Sequence, residues 1–333
     1  MSTGEQIRDE LKALVIDHPS FVNVISRLQS RIDASFKGHP CLELVTGPSR
    51  SGKTEVLKSI LSRYPITECD GRREIPVLYV YIPHDISPKG LPLAVLAAIK
   101  VPLPTGATSV RRLEQMMINQ LTLAKVRIIL FDEASHLVEP GARIQRRAAA
   151  DWFKDLYANV NEIGLILTGL PRLNRLLDNE QLRNRARSPT SLMPYRWDDN
   201  TQRTAFAGCV KAYLNVFAEN GCDLDQNMND FIRNCYAVSA GFIGLLARFF
   251  LVLAEQIVKP APLTISMCFE ASLTINLSGY TIKHPFHEQE FGDVDLMQVH
   301  ASELDRSGMA LKATSAVAEL AKAKVAAASR SLD

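Results

Sequence analysis

The chain has 333 residues, 47% of them apolar, enough to bury the cores of about two domains of roughly 150 residues each. Thirty-eight Lys and Arg against thirty-six Asp and Glu leave a net charge of +2, which excludes a diffuse attraction to nucleic acid or acidic membranes and requires any polyanion surface to be a local patch. The six cysteines, Cys41, Cys69, Cys209, Cys222, Cys235 and Cys268, form no CxxC pair, which argues against a zinc module or a disulfide framework. With no apolar run near the ~18 to 20 residues of a membrane span and no signal-like start, a cytoplasmic protein without a membrane partner is expected.

In chain order, apolar spacing predicts amphipathic helices over Glu5 to Ile16 and Ser20 to Phe36, the second carrying Phe21, Val24, Ile25, Leu28 and Ile32 on one face. Residues 1–37 are therefore expected to be N-terminal helices. Cys41 to Val45 reads as a strand, Thr54 to Tyr64 as a helix, and Pro76 to Ile82 as a strand buried on both faces. Helices are expected at Leu91 to Ile99 and Ser109 to Ala124, a strand at Arg127 to Phe131, a helix at Ala142 to Asn161 and a strand at Gly164 to Thr168. This alternation gives residues 38–197 an α/β domain with a mostly parallel sheet. Helices at Asn200 to Asn220, Asn227 to Val238 and Gly241 to Val258 make residues 198–258 an all-helical domain. Residues 259–333 form a C-terminal extension whose Ala- and Lys-rich part, from Met309, reads as a weakly held helix.

Gly47, Pro48, Ser49, Arg50, Ser51, Gly52, Lys53 and Thr54 match GxxxxGK[ST] between a predicted strand and a predicted helix. In that setting backbone N–H groups and the helix N-terminus cradle phosphates, Lys53 reaches the β- and γ-phosphates of ATP, and Thr54 ligates Mg²⁺. The strand Ile128 to Phe131 ends in Asp132 and Glu133. Both carboxylates then lie at the C-terminal edge of the sheet, Asp132 to hold Mg²⁺ and Glu133 to polarise the attacking water. The other reading of this pair is a cap on the next helix. A third strand ends in Thr168, whose hydroxyl could bond the γ-phosphate or the lytic water, or satisfy its own turn. Arg183, Arg185 and Arg187 alternate beyond it and cannot share one helical face, so one of them could reach a neighbouring subunit's nucleotide, the others lying in a solvated basic loop.

With these residues in place, the chain resembles the TniB/TnsC-like branch of AAA+ proteins, over about Gly38 to Val258. The resemblance rests on the phosphate loop, Ile75 to Pro83, Asp132 to His136, Arg146, the Trp152 to Asn161 helix, Thr168-Gly169, Asn179 to Arg185, Pro194 to Trp197 and Gly241-Phe-Ile-Gly244. It implies an AAA+ core followed by a helical lid, ATP bound between subunits, and self-assembly as a ring or short filament on double-stranded DNA. The implied partners are transposase subunits and a target-selection protein of the TniQ type or an RNA-guided complex, with hydrolysis dismantling the assembly. By position Arg185 matches the trans-acting arginine and Thr168 matches sensor one. The chain departs from the pattern at Ala186, where relatives carry Phe, and at Gly244, where many AAA+ proteins carry an arginine, leaving Arg248 as the lid candidate.

Arg143, Arg146 and Arg147 are expected on one face of the helix after the acidic strand, with Lys89 as a second candidate for DNA phosphates. No base-reading module is visible. A helicase-loader or initiator ATPase would share every nucleotide residue named here but would usually add a helix-turn-helix or winged-helix domain. The loop from His84 to Pro92 lacks the aromatic residue a protein unfoldase uses to grip peptide. His284 and His287, in a Pro-containing loop, are not assigned to a metal.

Overall fold

The computed structural model describes residues 2–69, 71–103, 108–160, 163–275, 283–287, 290–307 and 309. The expectation for the tail beyond residue 309 lies outside them, as does Asn161. Two N-terminal helices, α1 (Thr3–Ala13) and α2 (Pro19–Phe36), precede strand β1 (Leu42–Thr46) and helix α3 (Lys53–Leu61). A small antiparallel hairpin, β2 (Thr67–Cys69) with β3 (Arg72–Glu74), was not expected from the sequence, being short, exposed and without alternating apolar residues. Then follow β4 (Val77–Tyr81), α4 (Gly90–Ile99), α5 (Val110–Leu123), β5 (Ile128–Asp132), α6 (Arg146–Asn159), β6 (Gly164–Gly169), α7 (Glu180–Arg183) and β7 (Thr190–Ser191). Two 3₁₀ segments, Ala134–Val138 and Pro171–Asp178, follow β5 and β6.

The five-stranded sheet has the order β4-β5-β6-β1-β7, and every pairing in it is parallel. Parallel strands need crossovers that cover the sheet faces, and the strand residues divide accordingly with period two. Leu42, Leu44, Leu78, Val80, Ile129 and Phe131 face the core built with α4, α5 and α6. Val45, Val77, Ile128, Leu130 and Ile166 face α2 and α3. One buried position on that second face is charged. Glu43, fully buried on β1, accepts from Thr190 Oγ1 at 2.8 Å and pairs with Arg27 of α2 at 2.9 Å, so the pair joins α2, β1 and β7 through one carboxylate.

Beyond β7, the helices α8 (Asn200–Glu219), α9 (Met228–Ser239) and α10 (Ile243–Glu255) form a second core. Two later helices, α11 (Ile265–Leu273) and α12 (Asp293–Arg306), add Cys268, Ala271, Leu296 and Val299 to that core. Ile7 and Leu11 of α1 belong to it as well, whereas α2 packs on the sheet. The two N-terminal helices thus serve different bodies. Among the described residues no single helix is long and apolar enough to cross a membrane.

Two contacts set how the helical body meets the sheet domain. Tyr195 N donates to Gly241 O at 3.0 Å, and Tyr195 O accepts from Tyr236 Oη at 2.7 Å. The Tyr195 hydroxyl lies 2.7 Å from Nδ1 of His18, the N-cap of α2, while the same nitrogen accepts from Phe21 N at 3.4 Å. Accepting both bonds requires Nδ1 to be unprotonated. The second contact is Gly244 N donating to Arg50 O at 3.1 Å, where the start of α10 touches the loop before α3.

Burial lowers the pKa of His18 to about 4, outweighing the opposing effect of the Asp17 carboxylate. The unfolded chain therefore binds a proton at this ring between about pH 6.5 and 4 that the folded chain refuses, and the stability it contributes above pH 6.5 is lost as pH falls through that window. Urea unfolding should show a loss of about 2 kcal/mol from this group between pH 7 and pH 5. His18→Asn, which keeps a capping acceptor, should flatten that dependence; an unchanged pH profile would show that His18 does not carry it. A second outcome concerns Gly244. A Cβ there would stand 2.6 Å from Arg50 O, a backbone atom that cannot swing away, so Gly244→Ala should cost about 1–3 kcal/mol in the same measurement. A variant as stable as wild type would mean that this contact yields freely.

Candidate functional site

The C-terminal ends of parallel strands collect at one sheet edge, and in this strand order β6 stands between β1 and β5. The loop leaving β1, the acidic end of β5 and Thr168 of β6 are thereby brought side by side. The loop itself depends on two glycines. Gly52 adopts φ 95°, a left-handed conformation that side chains disfavour, and a Cβ on Gly47 would stand 2.3 Å from Leu192 O. Pro48 and Ser51 are buried, whereas Ser49 and Arg50 are exposed. Lys53 is the first residue of α3 and is buried; its Nζ donates to Gly47 O at 3.0 Å and Pro48 O at 2.7 Å. Burial lowers the Lys53 pKa, while the nearby carboxylates of Glu133 and Asp132 raise it.

Asp132 is the centre of the arrangement. It is 2% exposed. One oxygen accepts from Thr54 Oγ1 at 2.9 Å and Tyr79 Oη at 3.0 Å; the other accepts from Thr168 Oγ1 at 2.6 Å and Glu133 N at 3.0 Å. Thr168 is thus engaged with Asp132, with a longer contact of 3.4 Å to Phe131 O. Glu133 follows in a left-handed conformation, φ 55°, which is uncommon for a residue with a side chain. It is half-buried, and its side chain does not cap the 3₁₀ turn that follows. That excludes the capping role as an account of this acid.

Tyr79 was not anticipated as a site residue. It sits on β4 opposite Leu130, on the face shared with Asp132 two residues further on, which is why its hydroxyl reaches the carboxylate. Burial and the Asp132 charge both push its phenol pKa up, so it stays a donor. A tyrosine inside an otherwise apolar strand was the available signal, but only the strand register shows which carboxylate it meets.

Arg185 is exposed, and its guanidinium donates to Gln181 O at 2.7 Å. The next residue, Ala186, bridges to Leu42 at the start of β1, while the phosphate loop leaves β1 after Thr46. Four residues of strand separate the two, about 13 Å at ~3.3 Å per residue, so Arg185 is not brought to the loop of its own chain. Arg183 ends α7, and Arg187 N donates to Leu42 O at 2.9 Å. Arg248 is an exposed residue of α10.

The basic candidates differ from expectation. Helix α6 begins only at Arg146, because Gln145 is extended and the preceding loop is drawn inward by buried Ile144; Arg143 is therefore off the helix. Arg143, Arg146 and Arg147 are all exposed. Arg146 and Arg147 line a cleft of about 610 Å³ with Lys154 and Arg175, but Asp151 and Asp178 stand among them and Asp178 pairs with Arg146 at 3.3 Å. Lys89 is half-buried at the N-cap of α4, away from any helix interior. His284 and His287 pack against Phe269.

The model of the bacterial TniB protein family matches residues 9–195. No curated protein matches the chain in a sequence comparison. Among solved structures, the fold is similar to Cdc6p from Pyrobaculum aerophilum, with TM-score 0.59 and 13% identity over 92% of this chain and 85% of that one. It is also similar to the ORC2 protein of Aeropyrum pernix, solved as ADPNP-ADP complexes, with TM-score 0.55 and 12% identity over 78% of this chain and 68% of that one. The Aeropyrum pernix ORC1 protein in complex with DNA gives TM-score 0.51 and 16% identity over 85% and 82%. The fold that these structures share with this chain is a parallel-sheet α/β domain followed by a helical domain. With more than half of its length matched by the family model, the chain belongs to the TniB family.

Proposed function

We propose that this protein is an AAA+ ATPase that assembles on double-stranded DNA in its ATP form and recruits or activates a transposase there, hydrolysis dismantling the assembly. The observation that carries the reading is the convergence on Asp132 of Thr54 from the phosphate-loop helix and Thr168 from the adjacent strand, beside Lys53, in a chain of the TniB family. The donor set fits Mg²⁺, since Thr54 and Asp132 offer hard oxygen ligands 2.9 Å apart. It also fits a triphosphate: the Ser51 hydroxyl is buried and finds no partner among the described residues, Gly47 leaves no room for a side chain, and Gly52 holds the left-handed turn that opens α3. Mg²⁺ held by Thr54 and Asp132 would offset the charge of the β- and γ-phosphates.

In this mechanism Lys53 exchanges its two carbonyl partners for phosphate oxygens, which restores the full charge that burial opposes. Glu133 takes the proton of the attacking water, its carboxylate carried past the strand end by the left-handed turn. Thr168 holds Asp132 and lies beside the γ-phosphate position. Arg185, remote from its own loop, acts in trans on the nucleotide of the next subunit, so the site is complete only in a ring or filament. Arg143, Arg146, Arg147 and Lys89 are the proposed contacts to DNA phosphates, with Arg146 exchanging Asp178 for a phosphate oxygen. The target-selecting partner in this reading is a TniQ-type protein or an RNA-guided complex.

The reading is tested by comparing two variants on one duplex. Lys53→Ala should bind neither ATP nor DNA, whereas Glu133→Gln should bind ATP, lose turnover and stay on DNA longer than wild type. Wild-type DNA binding should weaken steeply with salt, as phosphate-backbone recognition requires. DNA retention that ignores ATP, or turnover by Glu133→Gln at the wild-type rate, would sink the switch. Arg185→Ala should bind ATP yet lose on the order of 10³-fold in rate. Mixing it with Lys53→Ala subunits, whose own arginine is intact, should restore hydrolysis; no recovery in any mixture would place Arg185 within its own subunit's chemistry.

A further inference from the structure

Three residues that the nucleotide chemistry does not use meet at the same sheet edge. His84 lies just past β4, while His136 and Glu139 follow β5, three and six residues beyond Glu133. One ligating atom from each lies within 4.8 Å of the other two. His84 Nε2 is 3.2 Å from Glu139 Oε2, and the two imidazoles are tilted by 30° with centroids 4.3 Å apart. Two donors on one tetrahedral zinc-like ion at ~2.0–2.1 Å from the metal are about 3.3 Å from each other, so the His84–Glu139 pair already has that separation.

The partners of these side chains decide which atoms are available. His136 Nδ1 lies 2.8 Å from Ile82 O, a carbonyl that only accepts, so Nδ1 carries a proton and Nε2 is the nitrogen left to bind an ion. That is how metal-bound histidines are usually held, with the second nitrogen fixed by a backbone carbonyl or carboxylate. Glu139 is held in the same way. Its Oε1 pairs with Arg172 at 3.4 Å, which leaves Oε2 on the side of His84. The Tyr81 ring packs edge-on against His136, with centroids 6.4 Å apart. His84, with its side chain 71% exposed, has room to turn and close the triangle.

We propose that His84, His136 and Glu139 bind one divalent transition-metal ion of the zinc type, leaving a fourth position to water or to a ligand from outside the chain. Two imidazoles and one carboxylate suit Zn²⁺, Co²⁺ or Ni²⁺ and do not suit Mg²⁺ or Ca²⁺, which take oxygen ligands. The site is therefore chemically distinct from that of Thr54 and Asp132. Occupancy ties the chain after β4 to the turn after β5 and, through Arg172, to the 3₁₀ segment after β6. This stiffens the segment that immediately follows Glu133 without entering the hydrolytic step.

The test uses the full chain, stripped with chelator and kept in millimolar Mg²⁺ so that hard-cation sites are filled. Co²⁺ should bind at one equivalent with the visible absorption of a tetrahedral nitrogen–oxygen site and be displaced by Zn²⁺, and Zn²⁺ should raise the thermal midpoint by mass action. His84→Ala, at an exposed position that tolerates truncation, should weaken Zn²⁺ binding at least tenfold and abolish the thermal shift. Glu139→Gln should also weaken binding. The proposal is overturned by the absence of saturable one-equivalent binding, by His84→Ala binding as tightly as wild type, or by a cobalt spectrum dominated by thiolate charge transfer, which would assign the ion to cysteine. None of these readouts depends on ATP turnover, so failure of the metal site and failure of the ATPase reading are separable.

Discussion

One buried carboxylate constrains the geometry of the whole site. Asp132 is nearly sealed from solvent, and a carboxylate is tolerated there because hydrogen-bond donors surround it. Those donors come from four places: the helix after the phosphate loop, β4, β6 and the next residue's backbone. These bonds therefore tie α3 to the sheet and link β4, β5 and β6 through one carboxylate. A half-satisfied network would be worse than an apolar one, so the position of the loop is tied to the register of strands that are distant in sequence.

The helical domain is coupled to this centre through backbone hydrogen bonds at Gly244 and Gly241 and through the side chains of Tyr195 and Tyr236. The start of α10 meets the phosphate loop through Gly244 and Arg50, and Tyr195 joins the turn at Gly241 to the cap of α2 through His18. Helix α1 packs with the helical domain while α2 packs with the sheet, so the connector between them bridges the two bodies. A displacement of the helical domain thus acts on the phosphate loop directly and on α2 through the Tyr195–His18 bond. In an ATPase of this fold those are the elements through which nucleotide state would be transmitted.

Surface charge behaves differently from the buried network. The arginines near the start of α6 are interleaved with Asp151 and Asp178, so the cleft they line is mixed rather than uniformly basic. With a net charge of only +2 the chain offers no diffuse attraction to a polyanion, and exposed pairs of this kind are worth little to stability. Surface arginines can therefore change partner while the Asp132 network stays fixed.

The sequence alone determined the α/β core, the helical domain and the glycine-containing loop that joins β1 to α3, because each is encoded locally. Strand and helix periodicity is a property of neighbouring residues, and the loop's chemistry lies within eight consecutive positions, Gly47 to Thr54. Helix and strand centres were legible from Phe21 to Ile166, with ends displaced by a few residues; the start of α6 moved to Arg146 because buried Ile144 pulls the preceding loop inward. Tertiary structure alone decided that Tyr79 meets Asp132, that Thr168 bonds the same carboxylate, and that Glu43 is buried against Arg27. It also placed α1 and the helices beyond residue 258 in one core with α8 to α10. It brought His84 beside His136 and Glu139, residues more than fifty positions apart in the chain. The physical reason is common to all of these: strand register and the packing of helices on one another and on the sheet join segments far apart in sequence and leave no mark in the local pattern of either one.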